Sequence, residues 1–167
     1  LGAGVKSYKR ERNTALKRIV SEIYSPPRVT ACLKLLPSQA LVPGFALDFT
    51  TNDEDGRPWD FDQAEMRARA RALVEKDKPY PLIGSPMCKA FCTWQRLNAL
   101  RRDPAQVRKE YLKAMVHLRF VCELYQLQID SGRYFLHEHP AQASSWCENC
   151  VQRVRSRKDV DRIVADQ

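Results

Sequence analysis

Pro104 opens the longest regular pattern in the chain. From there Val107, Tyr111, Met115, Leu118, Cys122, Tyr125 and Ile129 keep a three-or-four spacing over about six helical turns, and Gly132 closes the run. Arg133 to Glu138 then reads as a strand, and shorter versions of the same alternation precede it. Ile19-Val20-Ser21-Glu22-Ile23-Tyr24 is strand-like and stops at Ser25-Pro26-Pro27; a short helix from Ala31 to Leu36 is closed by Pro37. Pro43-Gly44 introduces a strand from Phe45 to Phe49, and the polar stretch from Thr50 to Arg57 marks an exposed turn. Gln63 to Lys76 is a helix with Met66, Ala70 and Leu73 on one face, and Tyr80 to Gly84 is a short buried strand. A helix between successive strands carries the chain back before the next strand begins. The expected fold is therefore α/β, a Rossmann-like three-layer domain with a mostly parallel sheet and right-handed crossovers.

The 167 residues, 44% of them hydrophobic, suit one domain with one core, which excludes a multidomain enzyme. Residues 1–18 read as a basic arm or helix and 19–167 as the single domain. No apolar run approaches the ~18 to 20 residues of a membrane helix, so no membrane insertion is expected. The six cysteines, at positions 32, 88, 92, 122, 147 and 150, are expected to be reduced thiols in an intracellular reducing compartment, since no cationic apolar leader is visible.

The formal charge of +8 is unevenly placed. Lys6, Lys9, Arg10, Arg12, Lys17 and Arg18 crowd one end, and Arg153, Arg155, Arg157 and Lys158 the other. Two basic runs point to a polyanionic partner, although each alone also suits a solvated helix face.

In open parallel sheets, ligands bind beyond the carboxyl ends of the strands. Those ends carry Ser25-Pro26-Pro27, Asp48, Ser85 to Cys88, and Glu138-His139-Pro140. The stretch Gly84-Ser85-Pro86-Met87-Cys88-Lys89-Ala90-Phe91-Cys92 sets a thiol just past a strand, beside Lys89 and near an expected helix start. Such surroundings favour the nucleophilic thiolate.

This stretch resembles the catalytic loop of the DNA cytosine carbon-5 methyltransferases, Gly-Gly-Pro-Pro-Cys-Gln-x-Phe-Ser. Gly84, Pro86, Cys88 and Phe91 match in register; Ser85, Met87, Lys89 and Cys92 replace the second Gly, second Pro, Gln and Ser. Glu138 aligns with the acid of that family's Glu-Asn-Val, again after one long helix and a strand. The family's first motif, Asp-Leu-Phe-x-Gly-x-Gly, falls on Glu22 to Arg28, with Pro26 and Arg28 where the family has glycines. The resemblance spans roughly Ile19 to Pro140. Only 29 residues follow Glu138, too few for a target-recognition region, and reduced domains of this kind resemble segments of transposable-element polyproteins.

The resemblance implies a transferase that uses S-adenosylmethionine on cytosine in nucleic acid. Cys88 would attack carbon 6, and Glu138, its proton retained by burial among Leu136, His139 and Pro140, would act on ring nitrogen 3. The cofactor side would comprise Glu22, Ser25, Asp48, Asp60 and Ser85, with Asp48 on the ribose hydroxyls and Asp60 on adenine. Lys89, Arg96, Arg153, Arg155 and Arg157 would contact nucleic acid, and no metal is implied. Two other readings stay open. One is a catalytically inactive relative serving as a nucleic-acid-binding or structural subunit of a larger complex. The other is a zinc-stabilised structural subunit using Cys147, Cys150 and a nearby His.

Overall fold

The computed structural model describes residues 18–35, 41–99 and 101–165, with only the backbone of Arg96 and Ala99. Strands β1 (Arg18–Ile23), β2 (Leu41–Leu47), β3 (Pro81–Gly84) and β4 (Tyr134–His137) form one sheet in the order β2-β1-β3-β4. Every pairing in it is parallel. Helix α1 (Val29–Leu35) joins β1 to β2, and α2 (Ala64–Asp77) carries the chain across β1 to β3. The return to β4 runs through α3 (Thr93–Ala99) and α4 (Pro104–Asp130), and α5 (Asn149–Arg155) follows the sheet. The architecture is mixed α/β, as the alternation predicts. Its strand order changes direction at β1, whose successor β2 lies on one side and β3 on the other.

The predicted boundaries shift at β2, which begins at Leu41 rather than Phe45 and includes Pro43 and Gly44. β2 is an edge strand, where a missing N–H is tolerated. Its pairing with β1 slips between Val20 and Glu22, and Gly44 sits in that slip. A Cβ on Gly44 would stand 2.3 Å from Ser21 Oγ and 2.6 Å from Ile19 Cγ2, so only glycine lets the strands close here. The segment 93–99, unassigned from sequence, is helical, as is 149–155.

Helix α4 starts where Pro104 predicts, with the Asp103 carboxylate accepting from the Ala105 N–H at 3.0 Å. Its burial is wider than the expected stripe: beyond Ala114 it buries His117, Phe120, Val121, Leu124 and Gln128 as well as Met115, Leu118, Cys122 and Tyr125. The long helix therefore serves as the core's central column, touching β3, β4, α2 and α5. The buried Gln128 amide donates to the carbonyls of Pro79 (2.9 Å) and Tyr134 (2.8 Å), tying the starts of β3 and β4 to the helix. Ile23, Leu82, Met66, Val74, Leu118 and Leu124 are fully enclosed around it, each contributing about 1.5–3 kcal/mol of burial.

Candidate active site

The turn after β1 is organised by one acid. The Glu22 carboxylate, in the central part of the sheet and almost fully buried, accepts from the N–H groups of Arg28, Val29 and Thr30, the last at 2.8 Å. It also accepts from the hydroxyls of Thr30 (2.6 Å) and Ser25 (3.2 Å). Burial pushes its pKa up, but the hydrogen bonds from Thr30, Val29 and Arg28 outweigh it and hold the carboxyl below its ordinary value. Glu22 and Ser25, both assigned to cofactor from sequence, thus meet each other and fasten the first turn of α1 to β1. Tyr24 between them takes a left-handed φ of 56°, and its N–H continues the sheet by donating to Leu47 O at 2.8 Å.

The ends of β3 and β4 are joined in the same way. The Ser85 N–H donates to Ile23 O at 3.2 Å and the Glu138 N–H to Gly84 O at 3.0 Å, so the loops leave the sheet side by side. Across them the Ser85 hydroxyl donates to a Glu138 carboxylate oxygen at 2.9 Å. Gly84 is favoured for a reason separate from the motif: a Cβ there would lie 2.2 Å from the Tyr125 hydroxyl, which would have to move.

Cys88 lies half-buried three residues past Ser85. The expected α-helix start beside it is instead a short 3₁₀ turn, Lys89–Phe91, with Cys88 at its cap and the Phe91 N–H donating to Cys88 O at 2.9 Å. The α-helix begins only at Thr93, five residues past Cys88, so the thiol does not stand at an α-helix start as the sequence suggested. Phe91 is wholly buried and pins the turn, its ring 6.1 Å from those of Tyr111 and His139, while Ser144 Oγ donates to its carbonyl.

Glu138 is half-buried, but not by all the residues expected to enclose it. Leu136 is 57% exposed, because alternate residues of β4 face solvent. The two flanking imidazoles turn inward. His137 Nδ1 meets the Tyr125 hydroxyl at 3.1 Å and His139 Nδ1 the Ser145 hydroxyl at 2.5 Å, while Nε2 of each is buried without a partner among the described residues. Burial, reinforced by His139, pushes the His137 pKa down to about 4, and burial lowers that of His139.

Asp48 follows β2, with one oxygen accepting from the Thr50 N–H (3.0 Å) and hydroxyl (2.7 Å). Asp60 lies between the buried rings of Trp59 and Phe61 and accepts from the Asp62 N–H and the Gln63 amide. Beside them runs a chain that sequence reasoning missed. The Tyr24 hydroxyl meets His117 Nδ1 at 3.0 Å, His117 Nε2 meets Asp62 at 3.0 Å, and Lys113 pairs with the other Asp62 oxygen at 2.6 Å. Its one sequence signal was a histidine on the buried face of α4. The Tyr24 ring packs on Phe61 at 4.7 Å, which joins this chain to the Asp60 loop.

The basic candidates separate. Lys89 is exposed, and Arg153 and Arg155 are exposed on α5, whose Val151 and Val154 face the core. Arg157 is engaged: it pairs with Asp130 at 2.8 Å and donates to Gln126, tying the segment after α5 to the end of α4. Arg18 lies 4.2 Å over the Tyr80 ring and donates to its hydroxyl. The side chain of Arg96 and the rest of the amino-terminal basic run lie outside the described residues. Cys147 is exposed, whereas Cys150 is half-buried beside Cys122, which holds the Cys150 thiol below its ordinary pKa. No group of three or more His, Cys, Asp or Glu among the described residues is arranged to hold a metal ion. No helix among them is long and apolar enough to cross a membrane.

Asp48, Ser85 and Glu138 follow the carboxyl ends of β2, β3 and β4, the edge where open parallel sheets bind ligands, and Cys88 lies in the loop that Ser85 begins. The chain matches no family model, no curated protein and no solved structure.

Proposed function

We propose that the chain is a Rossmann-like three-layer domain of the cytosine carbon-5 methyltransferase type, acting on nucleic acid with Cys88 as nucleophile and Glu138 as acid. The observation that carries this reading is the Ser85–Glu138 hydrogen bond, which orients the acid toward the loop that bears the thiol. In the reaction, the Cys88 sulfur forms a bond to carbon 6 of a cytosine taken out of its stack. Glu138 gives its proton to nitrogen 3 as the ring electrons shift toward carbon 5. S-adenosylmethionine, when bound, supplies the methyl group that carbon 5 receives. Transfer of the carbon-5 proton to a water molecule then expels the Cys88 thiolate, and nitrogen 3 returns its proton to the Glu138 carboxylate, which restores the ring. Ser85 acts as a positioning residue for Glu138.

The residues present fit the ribose of that donor. Asp48 keeps an oxygen for its hydroxyls, whereas the Phe61 ring beside Asp60 is buried against Tyr24, Trp59 and Phe120 and offers no face to the base. The donor's amino-acid half finds less, because the N–H groups of Arg28, Val29 and Thr30 already serve Glu22.

That observation favours a second reading, an inactive relative that binds nucleic acid through the same edge. Calorimetric titration of the chain with S-adenosylmethionine separates the two. Saturable binding that Asp48→Ala weakens supports the enzyme. No binding, with nucleic-acid affinity retained, moves the chain to the inactive reading.

A further inference from the structure

The loop that carries Cys88 is bordered by apolar side chains that the core does not use. Met87, directly before the thiol, is 51% exposed, and Trp94 and Leu97 on α3 are 74% and 62% exposed. Trp94 and Leu97 are three apart on a helix and so share a face. The opposite side of that helix is held by Arg102, whose guanidinium bridges Gln95 (2.9 Å) and Glu110 (2.6 Å) at the start of α4. This anchor turns Trp94 and Leu97 outward beside the Cys88 turn. Single exposed apolar residues are ordinary, but three on one loop-helix unit at a candidate site call for an occupant.

Charge identifies the kind of occupant. Between positions 86 and 110 the sequence has six lysines and arginines and two acids, one of them the Glu110 that pairs with Arg102. Lys89, Arg101, Arg108 and Lys109 are exposed. Protein interfaces deplete lysine at their apolar centres, whereas surfaces for unpaired nucleic acid interleave cations with an aromatic platform. We infer that the Trp94–Leu97 face, on the helix that follows the Cys88 turn, stacks an unpaired base next to the cytosine presented to Cys88, so that the substrate is engaged single-stranded or locally opened. This rests on the nucleic-acid reading above and adds to it the state of the strand.

The test uses a short single-stranded oligodeoxynucleotide with one cytosine, the matching duplex, and the wild-type, Trp94→Phe and Trp94→Ala chains, with circular dichroism confirming that each is folded. The single strand should bind more tightly than the duplex and quench tryptophan emission in the wild type. Trp59 is buried and Arg162 covers Trp146 at 4.4 Å, so Trp94 is the tryptophan placed to respond. Trp94→Phe should lose the quenching yet keep its affinity, and Trp94→Ala should bind roughly tenfold more weakly. Unchanged affinity in Trp94→Ala, or equal quenching in Trp94→Phe, overturns the inference and leaves the Cys88 assignment standing, because covalent capture at Cys88 is measured separately. Tighter duplex binding also overturns it. Self-association abolished by Trp94→Ala would assign the face to a second copy of the chain, and failure of the wild type to bind either oligonucleotide would remove the nucleic-acid reading along with the inference.

Discussion

The Ser85 hydroxyl donates to a carboxylate oxygen of Glu138 at 2.9 Å although the two residues lie 53 positions apart in sequence. The contact exists because β3 and β4 are parallel neighbours whose ends coincide, Gly84 pairing with His137. If Glu138 is the proton donor, its orientation depends on this bond. Ser85→Ala should slow covalent capture of a target cytosine about tenfold, the equivalent of about 1.4 kcal/mol, while nucleic-acid affinity stays within about twofold. Glu138→Gln should slow it on the order of a hundredfold. Single-turnover rates for the three chains check the ordering, and a Ser85→Ala rate equal to wild type would remove the positioning role.

Glu22 makes a prediction about acid stability. Its pKa in the folded chain lies below the ordinary 4.5, so its contribution to stability is present above that value and is lost as pH falls through the folded pKa. Thr30→Val deletes the 2.6 Å hydroxyl donor and should cost about 1–3 kcal/mol in urea unfolding near neutral pH. The gap from wild type should narrow below pH 4.5, where the acid is protonated in the unfolded chain. A gap that stays constant into acid would show that the hydroxyl does not act through the Glu22 charge.

Much of this fold could be read from particular residues. The periodicity from Pro104 to Gly132 and the β-branched run at Ile19 to Tyr24 gave α4 and β1 nearly to their ends, because both patterns are local. The start of β2 could not be read, since Pro43 and Gly44 look like a turn and are tolerated only because β2 is at the edge and Gly44 fills a slip in pairing. At the candidate site, the strand-end positions of Ser25, Asp48, Ser85 and Glu138 followed from the alternation of elements. The partners of Glu22 did not, since they depend on how α1 folds back on β1. Nor did the Tyr24–His117–Asp62 chain, whose members are brought together by tertiary packing alone. Arg157 looked like part of a free basic run because sequence spacing does not reveal that Asp130 lies beside it.

Gly84 belongs to the motif and to the packing of α4 at once. In Gly84→Ala the new methyl would collide with the Tyr125 hydroxyl, and the strain should cost about 1–3 kcal/mol. Tyr125→Phe removes the colliding oxygen but gives up its bonds to Gly84 O and His137. The double variant should therefore be less destabilised than the sum of the singles. Thermal unfolding of all three provides the cycle, and strict additivity would mean that the collision is relieved elsewhere.

The buried imidazoles predict a second pH effect of the same sign. His137 titrates near 4 in the folded chain against an ordinary 6.5, so between these values the unfolded chain binds the extra proton and stability falls with falling pH. His139, lowered by the same burial, adds to the slope. Replacing His137 with Gln should flatten the stability profile between about pH 6.5 and 4 relative to wild type. Parallel profiles would contradict the burial of this ring.

The central claim is that the Cys88 sulfur adds to carbon 6 of cytosine. It is tested most directly by incubating the chain with S-adenosylmethionine and an oligonucleotide carrying 5-fluorocytosine, where a fluorine replaces the proton whose loss would release the enzyme. The account predicts a covalent complex that survives denaturation, maps by peptide mass to Cys88 and is absent from Cys88→Ser. A complex that persists in Cys88→Ser or maps to Cys92, or no complex at saturating donor and oligonucleotide, would contradict it.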